Sequence, residues 1–173
     1  SNVDMIINLT AGMGGDLVFG SSEKPLPLNE NRTDMVGASE RLNHVRNILP
    51  EICTIDCGTM NFGEGDYVMA NTPSVLCEMA KQVQELGVRP EIECFDTGHL
   101  QLAIWLKSQG LIDDPAMIQL CMGIPWGAPD DMHTFLAMTS SIPKGWIFSA
   151  FSISRNQLPF VAMSILAGGN IRV

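Results

Sequence analysis

Six strand-like runs of the sequence carry polar side chains at positions of shared parity near their ends. Asn8 and Thr10 stand two apart in 5–11, Thr54 and Asp56 in 52–57, and Glu91 and Glu93 in 90–96. Gln119 lies in 117–122, Ser149 in 146–151, and Asn170 with Arg172 in 169–173. Alternate side chains of a strand face opposite ways, so the members of each pair share a face. Carboxylates on one face are costly to bury unless they meet a partner. Glu93, nearer its strand end than Glu91, can work as an acid or base; it can equally be one half of an ion pair, with Arg172 the obvious mate. Arg172 itself fits an anion clamp or a stabiliser of developing negative charge.

Directly after Thr10 comes a glycine-rich turn, with Gly12, Met13, Gly14 and Gly15 in succession. Such a turn lets backbone N–H groups point at an anion and lets a ligand approach closely. Thr10 would add a hydroxyl. The same residues also serve as an ordinary turn. Thr54 offers a second hydroxyl, either to a ligand or to Asp56 within the sheet. His99 begins a helix beside these strand ends, where a substrate contact competes with a capping or surface role. No HxH, HExxH or CxxC spacing occurs, so the sequence holds no metal-ligand set. The eleven methionines read as core filler.

These residues need elements to position them. Helical periodicity is expected at about 34–48, stopped by Pro50, and again after Thr72-Pro73, where Val75, Leu76, Met79, Val83 and Leu86 recur at helical spacing. Further helices are expected at about 99–109, from Asp130 or Asp131 to near 140, and at 157–166. Two stretches, from the glycine turn to Asp34 and 58–65, read as loops. Strand then alternates with helix five times, which predicts parallel strands joined by helical crossovers. The expected fold is an α/β (β/α)8 TIM barrel of which this chain covers about six of eight strands, with its polar groups converging at the C-terminal mouth. The 173 residues are therefore expected to be a single partial barrel domain of a longer chain.

Bulk composition narrows the partners. Ten Lys plus Arg against nineteen Asp plus Glu give a formal charge of −9. That disfavours nucleic acid and anionic membranes as main partners. No run of about 18 apolar residues is present to span a bilayer. Five cysteines, an odd number without a CxxC pair, predict reduced thiols and a cytoplasmic location. The start of the chain does not look like a secretion signal.

Taken together, several blocks resemble the β-keto acid cleavage enzyme family, which includes 3-keto-5-aminohexanoate cleavage enzyme. They run in order through 7–12, 50–54, 58–63, 89–93, 123–127 and 168–173. The resemblance implies a zinc-dependent barrel that condenses a β-keto acid with acetyl-CoA to give acetoacetate and a new acyl-CoA, in a homo-oligomer. It implies that Thr10 holds the substrate carboxylate with backbone N–H groups at Gly12, Met13 and Gly14. Thr54 is then a second hydroxyl contact, Glu93 a glutamate at the mouth, and Arg172 the arginine that offsets developing charge. The family's zinc ligands, an HxH pair and a glutamate, fall outside this segment. Two rivals remain: a phosphate-binding barrel lyase or isomerase using Gly168, Gly169 and Arg172, and a truncated, non-catalytic interaction protein.

Overall fold

The computed structural model describes residues 4–63 and 66–173; residues 1–3, and Glu64 and Gly65 of the loop expected at 58–65, lie outside the described residues. The described residues form nine strands and six α-helices. The main strands are β1 (Asn8–Thr10), β3 (Ile52–Cys57), β6 (Arg89–Cys94), β7 (Met117–Met122), β8 (Ile147–Ser152) and β9 (Asn170–Ile171). They form one sheet, all parallel, in the order β1-β3-β6-β7-β8-β9. Each strand pairs with the next main strand in sequence, the ordering of a parallel barrel wall.

The crossovers carry α1 (Ala38–Arg41) and α2 (Asn43–Ile48), then α3 (Pro73–Glu85), α4 (Thr97–Ser108), α5 (Met132–Ser140) and α6 (Gln157–Leu166). The core lies between these helices and one face of the sheet. Cys53, Ile55, Cys57, Ile92, Cys94, Ile118, Leu120, Met122 and Ala150 point into it from the strands. Leu76, Met79 and Val83 of α3, Leu100, Ala103 and Leu106 of α4, and Phe135 and Phe160 meet them. Phe135 and Phe160 pack edge to face at 5.6 Å, joining α5 to α6. Outward parity is thus apolar throughout, which leaves the polar residues on the concave face.

Local signals account for the starts of α3, α4 and α5. Pro73 takes the first helical position of α3, but the Thr72 hydroxyl bonds Ser74 Oγ rather than an amide of the first turn. Asp96 caps α4 by accepting from the Gly98 amide at 2.8 Å. Asp131 caps α5 through the Thr134 amide, which releases Asp130 to accept from Ser152 and Asn156. The helix expected from Asp34 begins only at Ala38 and breaks at Leu42. Asp34 cannot start it because its carboxylate is taken by the amides of Gly14 (3.1 Å) and Asp16 (2.7 Å).

The two stretches read as loops, with the residues just after the second, hold a second, antiparallel sheet. It comprises β2 (Asp16–Val18), β4 (Met60–Asn61) and β5 (Tyr67–Met69), in the order β2-β5-β4. Strands of two or three residues carry too few positions for an alternation to register.

A glycine ties this small sheet's approach to the barrel wall. Gly58 has φ +106°, and a Cβ there would run into the His99 ring. Gly58→Ala is therefore expected to cost about 2–4 kcal/mol through backbone strain and overpacking. Denaturant unfolding measures it; a loss under 1 kcal/mol would show that the ring moves aside freely.

Candidate active site

The sheet register places the polar residues in two rows on the concave face. Thr10, Thr54 and Glu91 are successive neighbours across β1, β3 and β6. One step nearer the C-terminal ends, Asp56, Glu93, Gln119, Ser149 and Asn170 follow one another across β3, β6, β7, β8 and β9. All line a cavity of about 740 Å³, together with Asn8, Arg172 and the rim aromatics Phe62, Phe95 and Phe151. Above the rows, Met69, Phe95 and Cys121 form a small apolar cluster against Met60, Phe62, Ile124 and Phe151.

Hydrogen bonds connect the rows. Glu91 Oε1 accepts from Asn8 Nδ2 at 2.9 Å and from the Thr54 hydroxyl at 3.0 Å. Glu93 Oε1 accepts from Gln119 Nε2 at 2.8 Å and from Arg172 Nη1 at 2.6 Å. The Glu93–Arg172 ion pair anticipated from sequence is formed. Arg172 also lies 4.8 Å above the Phe151 ring, so its guanidinium is fixed by charge and by the ring face. Gln119 Oε1 in turn takes the Ser149 hydroxyl at 3.2 Å. The chain of contacts holds one cation and its carboxylate at the mouth.

Asp56 is the group that sequence reasoning left without a role. Burial and the neighbouring Glu93 push its carboxyl up to about 8, against the opposing pull of Arg41 and Arg172. Glu93 is its register neighbour on β6, and the negative charge beside it favours the protonated form of Asp56. The visible signal was the parity of Asp56 with Thr54; its closeness to Glu93 depended on the register between two strands.

The glycine turn is built differently from a simple anion cradle. The Gly12 amide donates to its own neighbour, Thr10 Oγ1, at 3.2 Å. The Gly14 amide donates to Asp34, while Met13 N–H has no partner among the described residues. The carbonyls of the turn face backwards, onto Arg41. Its Nη2 donates to Ala11 O at 2.9 Å and Gly12 O at 3.2 Å, Nε to Ala11 O at 3.2 Å, and Nη1 to Asn71 Oδ1 at 2.6 Å. Asn71 Nδ2 continues to Gly58 O. Arg41, 2% exposed, thereby clamps the loops after β1 and β3 together. Nothing in sequence marked it apart from Arg46, which reaches Gln82 on the surface.

His99 and Trp126 both act as braces. His99 is buried rather than a surface residue, and its Nδ1 accepts from the Phe95 amide at 3.3 Å. Burial lowers its pKa, which favours the neutral ring. Trp126, with φ +72°, donates from Nε1 to Gly63 O at 3.0 Å. His44 Nε2 meets Thr10 O at 2.8 Å. The five cysteines are all free; buried Cys53, Cys57 and Cys94 belong to the helix-facing core. Among the described residues no three His, Cys, Asp or Glu side chains are grouped to hold a metal ion, so the residues present do not fit zinc.

A parallel barrel wall with a carboxylate pair and a fixed arginine at its C-terminal mouth defines the enzyme end of an α/β barrel. The family model described as beta-keto acid cleavage enzyme matches residues 1–173, and the chain belongs to this family. It is 64% identical over all 173 residues to a 3-dehydrocarnitine:acetyl-CoA trimethylamine transferase of Rhizobium meliloti (strain 1021), covering 58% of that protein. It is 37% identical over 134 residues to a 3-keto-5-aminohexanoate cleavage enzyme of Acetoanaerobium sticklandii, covering 78% of this chain and 48% of that one. The chain thus spans about half the length of the curated relatives it matches. A solved complex of ObcA with oxaloacetate superposes with a TM-score of 0.66 at 16% identity, covering 97% of this chain and 41% of that one. That likeness concerns the fold alone, and it agrees with the partial TIM barrel. Family membership displaces the phosphate-binding alternative, and Arg172 is in any case committed to Glu93.

Proposed function

We propose that the protein to which this chain belongs cleaves a β-keto acid with acetyl-CoA, and that its substrate carries a trimethylammonium group. The observation that carries this reading is the 64% identity, over the whole chain, to the 3-dehydrocarnitine:acetyl-CoA trimethylamine transferase. In the reaction, the bond between the keto carbon and the methylene next to the carboxylate breaks. The carboxylate-bearing half leaves joined to the acetyl group, as acetoacetate. The other half leaves as a CoA thioester bearing the trimethylammonium group.

The site supports this division of labour. Thr10 and Thr54 line the cavity, and the turn at Gly12, Met13 and Gly14 follows Thr10 directly; a carboxylate would be held there. Of the three turn amides, that of Met13 is the best placed to turn toward a ligand, because those of Gly12 and Gly14 have internal partners. Glu93 and Arg172 lie across the cavity; arginine there would offset charge that develops on the reacting oxygen. Zinc belongs to the same reading, but its ligands would come from outside these residues, and no step is derived through it. The reading extends to one partial barrel domain of a longer chain and to a homo-oligomer in the cytoplasm. Exposed Leu158 and Leu166 on α6 suit a subunit contact, and the free thiols suit a reducing compartment.

Incubation of the intact protein with 3-dehydrocarnitine and acetyl-CoA is expected to release acetoacetate, read by mass spectrometry together with the new thioester. A kcat/KM at least tenfold higher than with 3-keto-5-aminohexanoate would fit the trimethylammonium assignment. Equal or reversed preference would overturn the substrate, and failure with every β-keto acid would overturn the reaction.

A further inference from the structure

Asp56 is placed where no purely structural account uses it. The register sets residue 56 level with the residue two beyond Thr10, namely Gly12. A Cβ on Gly12 would stand 2.5 Å from Asp56 Oδ2 and 3.3 Å from Thr10 Oγ1. Asp56 and Thr10 therefore flank the same glycine, at the wall of the cavity where the substrate carboxylate is read to bind. An ionised Asp56 would repel that carboxylate. Its side chain lines the cavity and stands beside Glu93 in the sheet register.

We propose that Asp56 is a substrate-binding residue that works as a neutral carboxylic acid, donating a hydrogen bond to the substrate carboxylate beside the Thr10 hydroxyl. The proposal rests on the β-keto acid reading of the site. In the free protein, burial and the charge of Glu93, whose Oε1 accepts from Arg172 and Gln119, favour the proton on Asp56. When a carboxylate enters, the Asp56 O–H donates to the ligand; no covalent bond changes and no proton leaves the site. A buried acid kept neutral so that it can donate is an established device of enzyme sites.

The charged surroundings set the working range. From β6, Glu93 faces Asp56 and favours the protonated form. Arg41 from α1 and Arg172 beyond β9 oppose it. Asp16 and Asp34 bear on Arg41 from the other side and weaken its pull. The buried thiols of Cys57 and Cys121 are held high by desolvation and stay neutral. Asp56 thus stays protonated at neutral pH and ionises near pH 8.

The test is calorimetric binding of acetoacetate, a plain β-keto acid, to the intact protein between pH 6.5 and 9.5. Asp56→Asn supplies a permanent donor of the same shape. Wild-type affinity is expected to be level to about pH 7.5 and then to fall about tenfold per pH unit. Asp56→Asn is expected to bind with affinity that does not vary with pH, and Asp56→Ala to bind at least tenfold more weakly than Asp56→Asn at pH 7. A wild-type profile without the fall, or an Asp56→Asn profile that falls as steeply as wild type, would overturn the proposal. Turnover with acetyl-CoA, followed in parallel, separates the two readings. Turnover with a flat wild-type binding profile sinks the role of Asp56 alone; the expected binding profiles without turnover sink the cleavage reaction alone.

Discussion

Replacing Arg41 by Met is expected to destabilise the protein by about 3–5 kcal/mol, the largest effect of any single substitution considered. The reason is what Arg41 leaves behind. Its guanidinium answers the carbonyls of Ala11 and Gly12 and the side chain of Asn71 at one buried point. Methionine fills most of the volume but donates to none of them, at a position only 2% exposed. Each acceptor then carries its full desolvation cost. Arg41→Lys keeps the charge, but an ammonium is a compact donor and does not span the fork from Nε to both Nη atoms. It is expected to recover less than half of the loss. Denaturant unfolding of the three proteins measures this, and hydrogen exchange at residues 11–15, 58–63 and 66–71 should rise selectively in both variants. Full recovery in Arg41→Lys would mean that charge alone, opposite Asp34 and Asp56, explains the residue.

The second large effect separates activity from stability. Arg172→Ala is expected to lower kcat/KM about 10²–10³-fold, the scale on which loss of one oriented charge stabiliser acts. Folding stability should change by less than about 1 kcal/mol, because the Arg172 side chain is half exposed and solvent screens the pair. Glu93→Gln removes the anion that orients the guanidinium and also the partner that keeps the Asp56 proton. Residues that act as a unit do not add. The double variant Arg172→Ala/Glu93→Gln is therefore expected to be no slower than the worse single variant. Steady-state rates with parallel unfolding curves decide it. Multiplicative losses would show that Glu93 and Arg172 act separately; a loss of stability that tracks the loss of rate would make the pair structural.

Much of the barrel wall could be read without coordinates. Parity alone put Asn8, Thr10, Thr54, Asp56, Glu91, Glu93 and Arg172 on one face, because a strand's period of two is a local property. The same holds for α3, whose apolar spacing and Pro73 are written within thirteen residues. Short elements gave less. The helix expected over 34–48 became two pieces, since Asp34 found better use as an acceptor for two amides than as a cap. The strand β2 pairs with β5 across dozens of residues, and nothing in two or three side chains announces such a partner.

By itself, then, the sequence determined the alternation of strand and helix, the parallel sheet, the family, and which residue types face the cavity. Each follows from short-range periodicity or from ordered motifs. Tertiary structure alone decided who meets whom. It joined Glu93 to Arg172 across 79 positions, set Asp56 against Glu93, brought His99 under Gly58, and made Arg41 the buried clamp of the two strand-end loops. These are relations between segments, fixed by strand register and loop path. A carboxylate's proton or an arginine's role depends on neighbours that arrive only when the sheet closes its rows.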